Sequence, residues 1–166
     1  MQALGKIEYV QGKKRPDVDC ILCAIKDDDK RVINLKYYED DLIFIILNLY
    51  PYNPAHSMII PNRHIFKFTD LTKDEIQRIF RAVQGLQNLI GDIYNPRGYN
   101  IGFNQGNAGA SIPHLHCHLV PRYGTELGFI DIVGETRVVP EGLESVKKKL
   151  ENNIQNFLNK QFFESF

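Results

Sequence analysis

Residues 114–118 read His114-Leu115-His116-Cys117-His118, a histidine at every second position. In an extended chain alternate side chains share a face. The pattern therefore predicts a β-strand with three imidazoles on one side and Leu115, Cys117 and Leu119 turned into a core on the other. The other two of the five histidines, His56 and His64, flank one apolar run, Ser57-Met58-Ile59-Ile60-Pro61. One site assembled from two strands is the expectation. Histidine is also the side chain most easily set to act near neutral pH, as base, nucleophile or metal ligand.

The rest of the chain says what could carry such a strand. At 166 residues it is long enough for one domain with a real core. A polar arm, 1–19, leads to Cys20, and Asp27-Asp28-Asp29-Lys30 reads as a solvated turn. Tyr38 to Asp41 leads into Leu42-Ile43-Phe44-Ile45-Ile46-Leu47, a buried strand by length and β-branching. Pro51 and Pro54 make 48–55 a loop, so 57–60 returns as a hairpin partner. Thr72-Lys73-Asp74-Glu75 has capping-box spacing, and Ile76, Ile79, Phe80, Val83, Leu86, Leu89, Ile90 and Ile93 follow a helical period over 73–93. Tyr99 to Phe103 is a strand, 104–111 a loop of small residues, and Phe129–Val133 and Arg137–Val139 are short strand candidates. Pro140 opens a C-terminal helix of about 20 residues, giving a helical extension over 141–166. One long helix among strands with few βαβ units predicts an α+β fold with an antiparallel sheet of about five strands.

Charge and hydropathy narrow the function. Lysine plus arginine and aspartate plus glutamate both number 20, so no global field recruits nucleic acid or an anionic membrane. The run Leu42 to Leu49 is too short to span a bilayer. The N-terminal residues lack the apolar stretch of a signal peptide, so a cytoplasmic location is expected. Three cysteines make no disulfide framework.

Three constellations carry chemistry. The histidine strand fits either an open zinc site, with an H-x-H pair and a third histidine, or a phosphate-binding face in which one imidazole attacks phosphorus. The preceding loop favours phosphate. Gly106, Ala108, Gly109, Ala110 and Ser111 permit close backbone approach and an anion-binding nest of N–H groups, and Ser111 adds a hydroxyl. The third, Cys20-Ile21-Leu22-Cys23, has spacing for a structural zinc completed by His64 and one strand histidine. A redox pair or two buried thiols are the alternatives. By alternation Cys117 belongs to the core.

These residues resemble the histidine triad (HIT) superfamily, whose signature is His-φ-His-φ-His-φ-φ with φ apolar. His114 to Val120 match it in full. Asn104-x-Gly106-x-x-Gly109-x-Ser111-x-x-His114 resembles its phosphate loop. Asn48, Pro54-Ala55-His56 and Pro61-Asn62-Arg63-His64 resemble its nucleotide-binding hairpin. Leu47-Asn48-Leu49-Tyr50-Pro51-Tyr52-Asn53, Thr69-Asp70-Leu71-Thr72, Val120-Pro121-Arg122-Tyr123-Gly124, Phe129-Ile130 and Val138-Val139-Pro140 extend the likeness toward the bacterial diadenosine tetraphosphate phosphorylase branch.

The resemblance implies a single HIT domain that cleaves dinucleoside polyphosphates through a nucleotidyl-histidine. Phosphate would be the acceptor in a phosphorylase and water in a hydrolase. It implies that His116 is the nucleophile and that His118 hydrogen-bonds the α-phosphate, with His56 lining the same phosphate site. Asn48 would hold ribose, and Asn104, Gly109 and Ser111 phosphate or the leaving group. His114 would orient its neighbours at the phosphate and, in zinc-bearing relatives, complete a set with Cys20, Cys23 and His64. Magnesium accompanying the polyphosphate, and a homodimer or higher oligomer, follow from the same likeness. Two departures stand out. Ala110 replaces a glutamine common in relatives, removing a polar contact to the leaving group. Ala55 replaces a glycine, read as a small steric change.

Overall fold

The computed structural model describes residues 16–106, 111–124 and 141–159. Among them the chain runs α1 (Ile21–Lys26), β1 (Lys36–Glu39), β2 (Ile43–Leu47), β3 (Ser57–Pro61), a 3-10 turn (Phe68–Asp70), α2 (Lys73–Tyr94), β4 (Gly98–Phe103), β5 (Cys117–Arg122) and α3 (Leu143–Asn159). The five strands form one sheet in the order β1-β2-β3-β5-β4, with every neighbouring pair antiparallel. The expected α+β class, sheet, long helix and C-terminal helix are all present. The candidate strands at 129–133 and 137–139, the arm before residue 16 and the end of the helical extension lie outside the described residues.

The two central strands read as unbroken apolar runs because both their faces are covered. Ile43, Ile45, Leu47 and Ile59 turn to one face. There they meet Ile79, Val83, Leu86 and Ile90 of α2, and Leu150, Ile154 and Leu158 of α3. Phe44, Ile46, Met58 and Ile60 turn to the opposite face, beneath Ile21, Leu22 and Ile25 of α1. The layers are thus α2 and α3, then the sheet, then α1 over only part of the second face. Between α2 and α3 the approach is close. A Cβ at Gly85 would stand 2.6 Å from Leu158 Cδ2, so any larger residue at this crossing would force the Leu158 side chain to move.

α2 starts where its sequence says. Glu75 N–H donates to Thr72 Oγ1 at 3.2 Å, and Thr72 N–H donates back to Glu75 Oε2 at 2.8 Å. Asn95 ends the helix in the left-handed region with φ 46°. Two elements were not anticipated. β1 begins at Lys36, before the segment expected to lead into β2, and α1 forms over the residues that follow Cys20. The C-terminal helix begins at Leu143, three positions after Pro140.

Candidate active site and metal cluster

The histidine run behaves as a strand in its alternation but not in its ladder. β5 pairing begins at Cys117, so His114 and His116 precede the strand on extended chain. Leu115, Cys117 and Leu119 enter the core beneath α2, as expected, and burial pushes the Cys117 thiol up to about 12. The three imidazoles lie on the α1 side but do not form one group. His116 and His118 line a cavity of about 310 Å³, whereas His114 faces the cysteines.

That cavity lies between α1 and the sheet. Ile21, Leu22, Ile25 and Met58 give it an apolar depth, and Asn48, Asn104, Ser111, His116 and His118 give it a polar mouth. Its shape and chemistry suit a flat apolar ring attached to a polar, charged group. His116 is 3% exposed. Its Nδ1 lies 2.8 Å from the His114 carbonyl oxygen, so Nδ1 carries the proton and donates it there, leaving a lone pair on Nε2. Burial lowers the His116 pKa, so the ring is neutral at pH 7, against a smaller opposing effect of the His114 carbonyl.

His56 takes a different place from the one expected. It is fully buried, does not line the cavity, and lies behind His118. Tyr52 N–H donates to His56 Nδ1 at 3.2 Å, so the His56 proton sits on Nε2. That nitrogen is 3.0 Å from His118 Nδ1. His118 therefore accepts on Nδ1 and carries its own proton on Nε2. A backbone amide thus fixes the protonation pattern of two rings in series. The Tyr52 ring stacks on His56 with centroids 5.2 Å apart. Asn53, 2% exposed, ties the same loop to β5 by donating to the Pro121 carbonyl at 2.6 Å. Tyr52 and Asn53 fall inside a stretch singled out in the sequence, but no spacing rule assigns them these roles. Ala55, read as a small steric change, has φ 61°, where a Cβ is strained and glycine is not. Gly109 and Ala110 lie outside the described residues.

The second constellation forms around α1. Cys20 caps its N-terminus, with Cys23 N–H 3.5 Å from Cys20 Sγ. Cys23 Sγ lies 3.0 Å from His64 Nδ1, and both sulfurs lie 3.6 Å from His114 Nδ1. All four ligand atoms fall within 4.8 Å of one another. Sulfur and nitrogen on a tetrahedral zinc stand about 3.6 Å apart, so these residues fit the ion. His114 Nε2 lies 3.1 Å from the Pro61 carbonyl oxygen, a contact that puts the proton on Nε2 and leaves Nδ1 to ligate. Burial, then the facing His64, lowers His114 to about 4, which keeps the ring neutral. Burial and Cys20 push the Cys23 thiol up to about 12; a bound cation would reverse this by replacing protons. His64 is presented by Arg63, whose Nε and Nη2 each donate to Glu75 at 2.7 Å.

A HIT domain model matches residues 30–125. The chain belongs to the HIT family. Among its relatives, AP-4-A phosphorylase of Mycobacterium tuberculosis (strain CDC 1551 / Oshkosh) is 40% identical over 111 residues, covering 66% of this chain. The chain spans only 57% of that relative's length. Protein hit of Bacillus subtilis (strain 168) is 31% identical over 140 residues, 82% of this chain and 94% of that protein. Among solved structures, a Zn-bound histidine triad family protein from Mycobacterium smegmatis has a TM-score of 0.69 at 25% identity. The alignment covers 86% of this chain and 98% of that one. Within the HIT fold, the site described above occupies the end of the sheet where β3 and β5 meet. No helix among the described residues is long and apolar enough to cross a membrane.

Proposed function

We propose that this HIT protein is an enzyme that cleaves a dinucleoside polyphosphate by transferring a nucleotidyl group to His116 and then to inorganic phosphate. The observation that carries this reading is the fixed tautomer of His116. A buried neutral imidazole with its Nδ1 proton committed to a carbonyl keeps a nucleophilic Nε2. In the first step His116 Nε2 bonds to the α-phosphorus. The bond from phosphorus to the bridging oxygen breaks, and the leaving nucleoside polyphosphate keeps the electron pair. The Nε2 proton of His118 stabilises charge on the phosphate oxygens. In the second step a phosphate oxygen attacks, the P–N bond breaks, and its electrons return to Nε2. Diadenosine tetraphosphate would give ADP and ATP. The named activity of the M. tuberculosis relative favours phosphate as acceptor; water would give AMP and ATP instead. The base fills the apolar depth and ribose meets Asn48, with Asn104 and Ser111 at the polyphosphate.

Cys20, Cys23, His64 and His114 would hold a zinc ion. Four protein ligands leave no open position, so it supplies structure rather than a Lewis acid. A homodimer finds a ready edge in β4, the last strand of the sheet, where Asn100, Ile101 and Gly102 are exposed; sedimentation reads this directly.

The test is product identification from diadenosine tetraphosphate with and without inorganic phosphate, and with and without magnesium. ADP plus ATP formed only with phosphate is expected. His116→Ala should fold and lose at least about 10³-fold in turnover. Turnover retained in that variant overturns the mechanism. Tight nucleotide binding without products identifies a binding protein instead.

A further inference from the structure

The metal cluster and the nucleophile share one residue. His114 gives its side chain to the cluster and its backbone carbonyl to His116, whose Nδ1–H donates to it at 2.8 Å. The surrounding segment is pinned on one side by hydrogen bonds to β3 and the chain after it. His114 Nε2–H donates to the Pro61 carbonyl at 3.1 Å, and Leu115 N–H donates to the Ile65 carbonyl at 2.7 Å. On the other side the contacts are His114 Nδ1 with Cys20 and Cys23 Sγ, each at 3.6 Å. Between neutral groups such contacts are weak. A cation shared by all four ligands converts them into coordination bonds. The path from α1 to the His116 ring is therefore only as firm as the cluster.

The cluster is also open to solvent. His64 is exposed, Cys20 and Cys23 are half-buried, and a cavity of about 340 Å³ beside them is lined by Asp19, Phe66 and Pro113. Only His114 of the four ligands is buried, so solvent reaches the cluster from the His64 side.

We propose that metal occupancy of the Cys20, Cys23, His64 and His114 cluster sets the orientation of the His116 ring through the His114 carbonyl. His114 is then a positioning residue, and the metal is an effector of the nucleophile as well as a strut. The inference rests on the metal and nucleotidyl-transfer readings above. It predicts an effect on kcat rather than on nucleotide affinity, because Asn48 lies off this path and Ile21, Leu22 and Ile25 are held in the cavity wall by packing on Phe44, Ile46, Met58 and Ile60 of the sheet, not by the cluster alone. Loosening of α1 would act the other way, since Ile21, Leu22 and Ile25 line the cavity.

The experiment compares the full chain loaded with zinc, the same protein stripped by a chelator, and His64→Ala. That variant removes the exposed ligand of the cluster and leaves both cysteines and His114 in place. Metal content and cobalt(II) absorption report occupancy, and circular dichroism reports folding. AMP binding by calorimetry, kcat and KM, and the ¹⁵N-imidazole NMR signals of His116 are then measured. The expected result is a folded metal-free protein whose AMP affinity stays within twofold. Its kcat falls tenfold or more and returns on adding zinc. The single Nδ1–H tautomer of His116 in the zinc form gives way to a mixture. Unchanged kcat and unchanged His116 signals in the emptied protein overturn the proposal. A loss that travels with AMP affinity or with helix content also overturns it. If the zinc form turns over no dinucleoside polyphosphate, the functional reading fails while the His116 signals still decide the coupling. Failure to bind zinc or cobalt overturns both the metal reading and this inference.

Discussion

Ala55 and His56 are neighbours with opposite demands. Ala55 sits at φ 61°, where a Cβ costs about 1 kcal/mol, yet this turn delivers His56 to its place behind His118. Ala55→Gly should therefore raise stability by about 0.5–1 kcal/mol without loss of activity, read as a higher denaturation midpoint. A destabilised Ala55→Gly protein would show that the strain account is wrong. His56→Phe should keep KM within a few-fold and lower kcat by about 10²-fold, because no side-chain donor then remains at that place to set the His118 tautomer. Steady-state kinetics checks this. The sequence made the histidines legible as a group, since period 2 is a direct statement about faces. It could not divide them. His114 leaves the cavity because Pro61 and two cysteines, distant in sequence, compete for its ring, and His56 withdraws because a backbone amide at Tyr52 claims its Nδ1. No spacing rule sees a backbone amide.

Among the elements, α2 was readable from its ends inward, because a capping box and an apolar stripe are local features. Its first turn also does long-range work. Glu75 is 2% exposed and accepts from both Thr72 N–H and the Arg63 guanidinium. The Arg63 hydrogen bonds, foremost, hold its carboxyl at about 2, below the ordinary 4.5. A lowered folded-state pKa stabilises the protein above the unfolded value, and that stability is lost as pH falls through the folded value. Acid titration should therefore weaken the wild type between about pH 4.5 and 2. Glu75→Gln should be about 2 kcal/mol less stable at pH 7 and lose less on acidification across the same window; denaturation midpoints against pH measure both. Short elements were less legible. α1 is six residues long, too few for periodicity, and stands because Ile21, Leu22 and Ile25 pack beneath it. β1 has only Tyr37 and Tyr38 buried between charged ends, and its register shifts between Lys36 and Tyr38. A bulged four-residue edge strand leaves almost no alternation to read.

For the whole molecule, the α+β class and antiparallel sheet followed from the alternation of strand-like and helix-like periods. Beyond the β2–β3 hairpin, the order in which the strands meet was not legible, because pairing depends on surfaces far apart in the chain. β3 and β5 stand side by side although α2 and β4 lie between them in sequence. His56 and His118, 62 positions apart, touch only because of that pairing. This arrangement has a consequence in time. Hairpin β2–β3 and helix α2 close short loops, whereas β3 must wait for a distant strand, and long closures are entropically slower. A refolding chain should regain its helical signal first and its capacity to bind AMP last, in the kinetic phase that joins β3 to β5. Stopped-flow circular dichroism beside fluorescent-nucleotide binding checks the order, and simultaneous recovery would contradict it. Activity in this protein is then a clock that starts only when the last long-range contact is made.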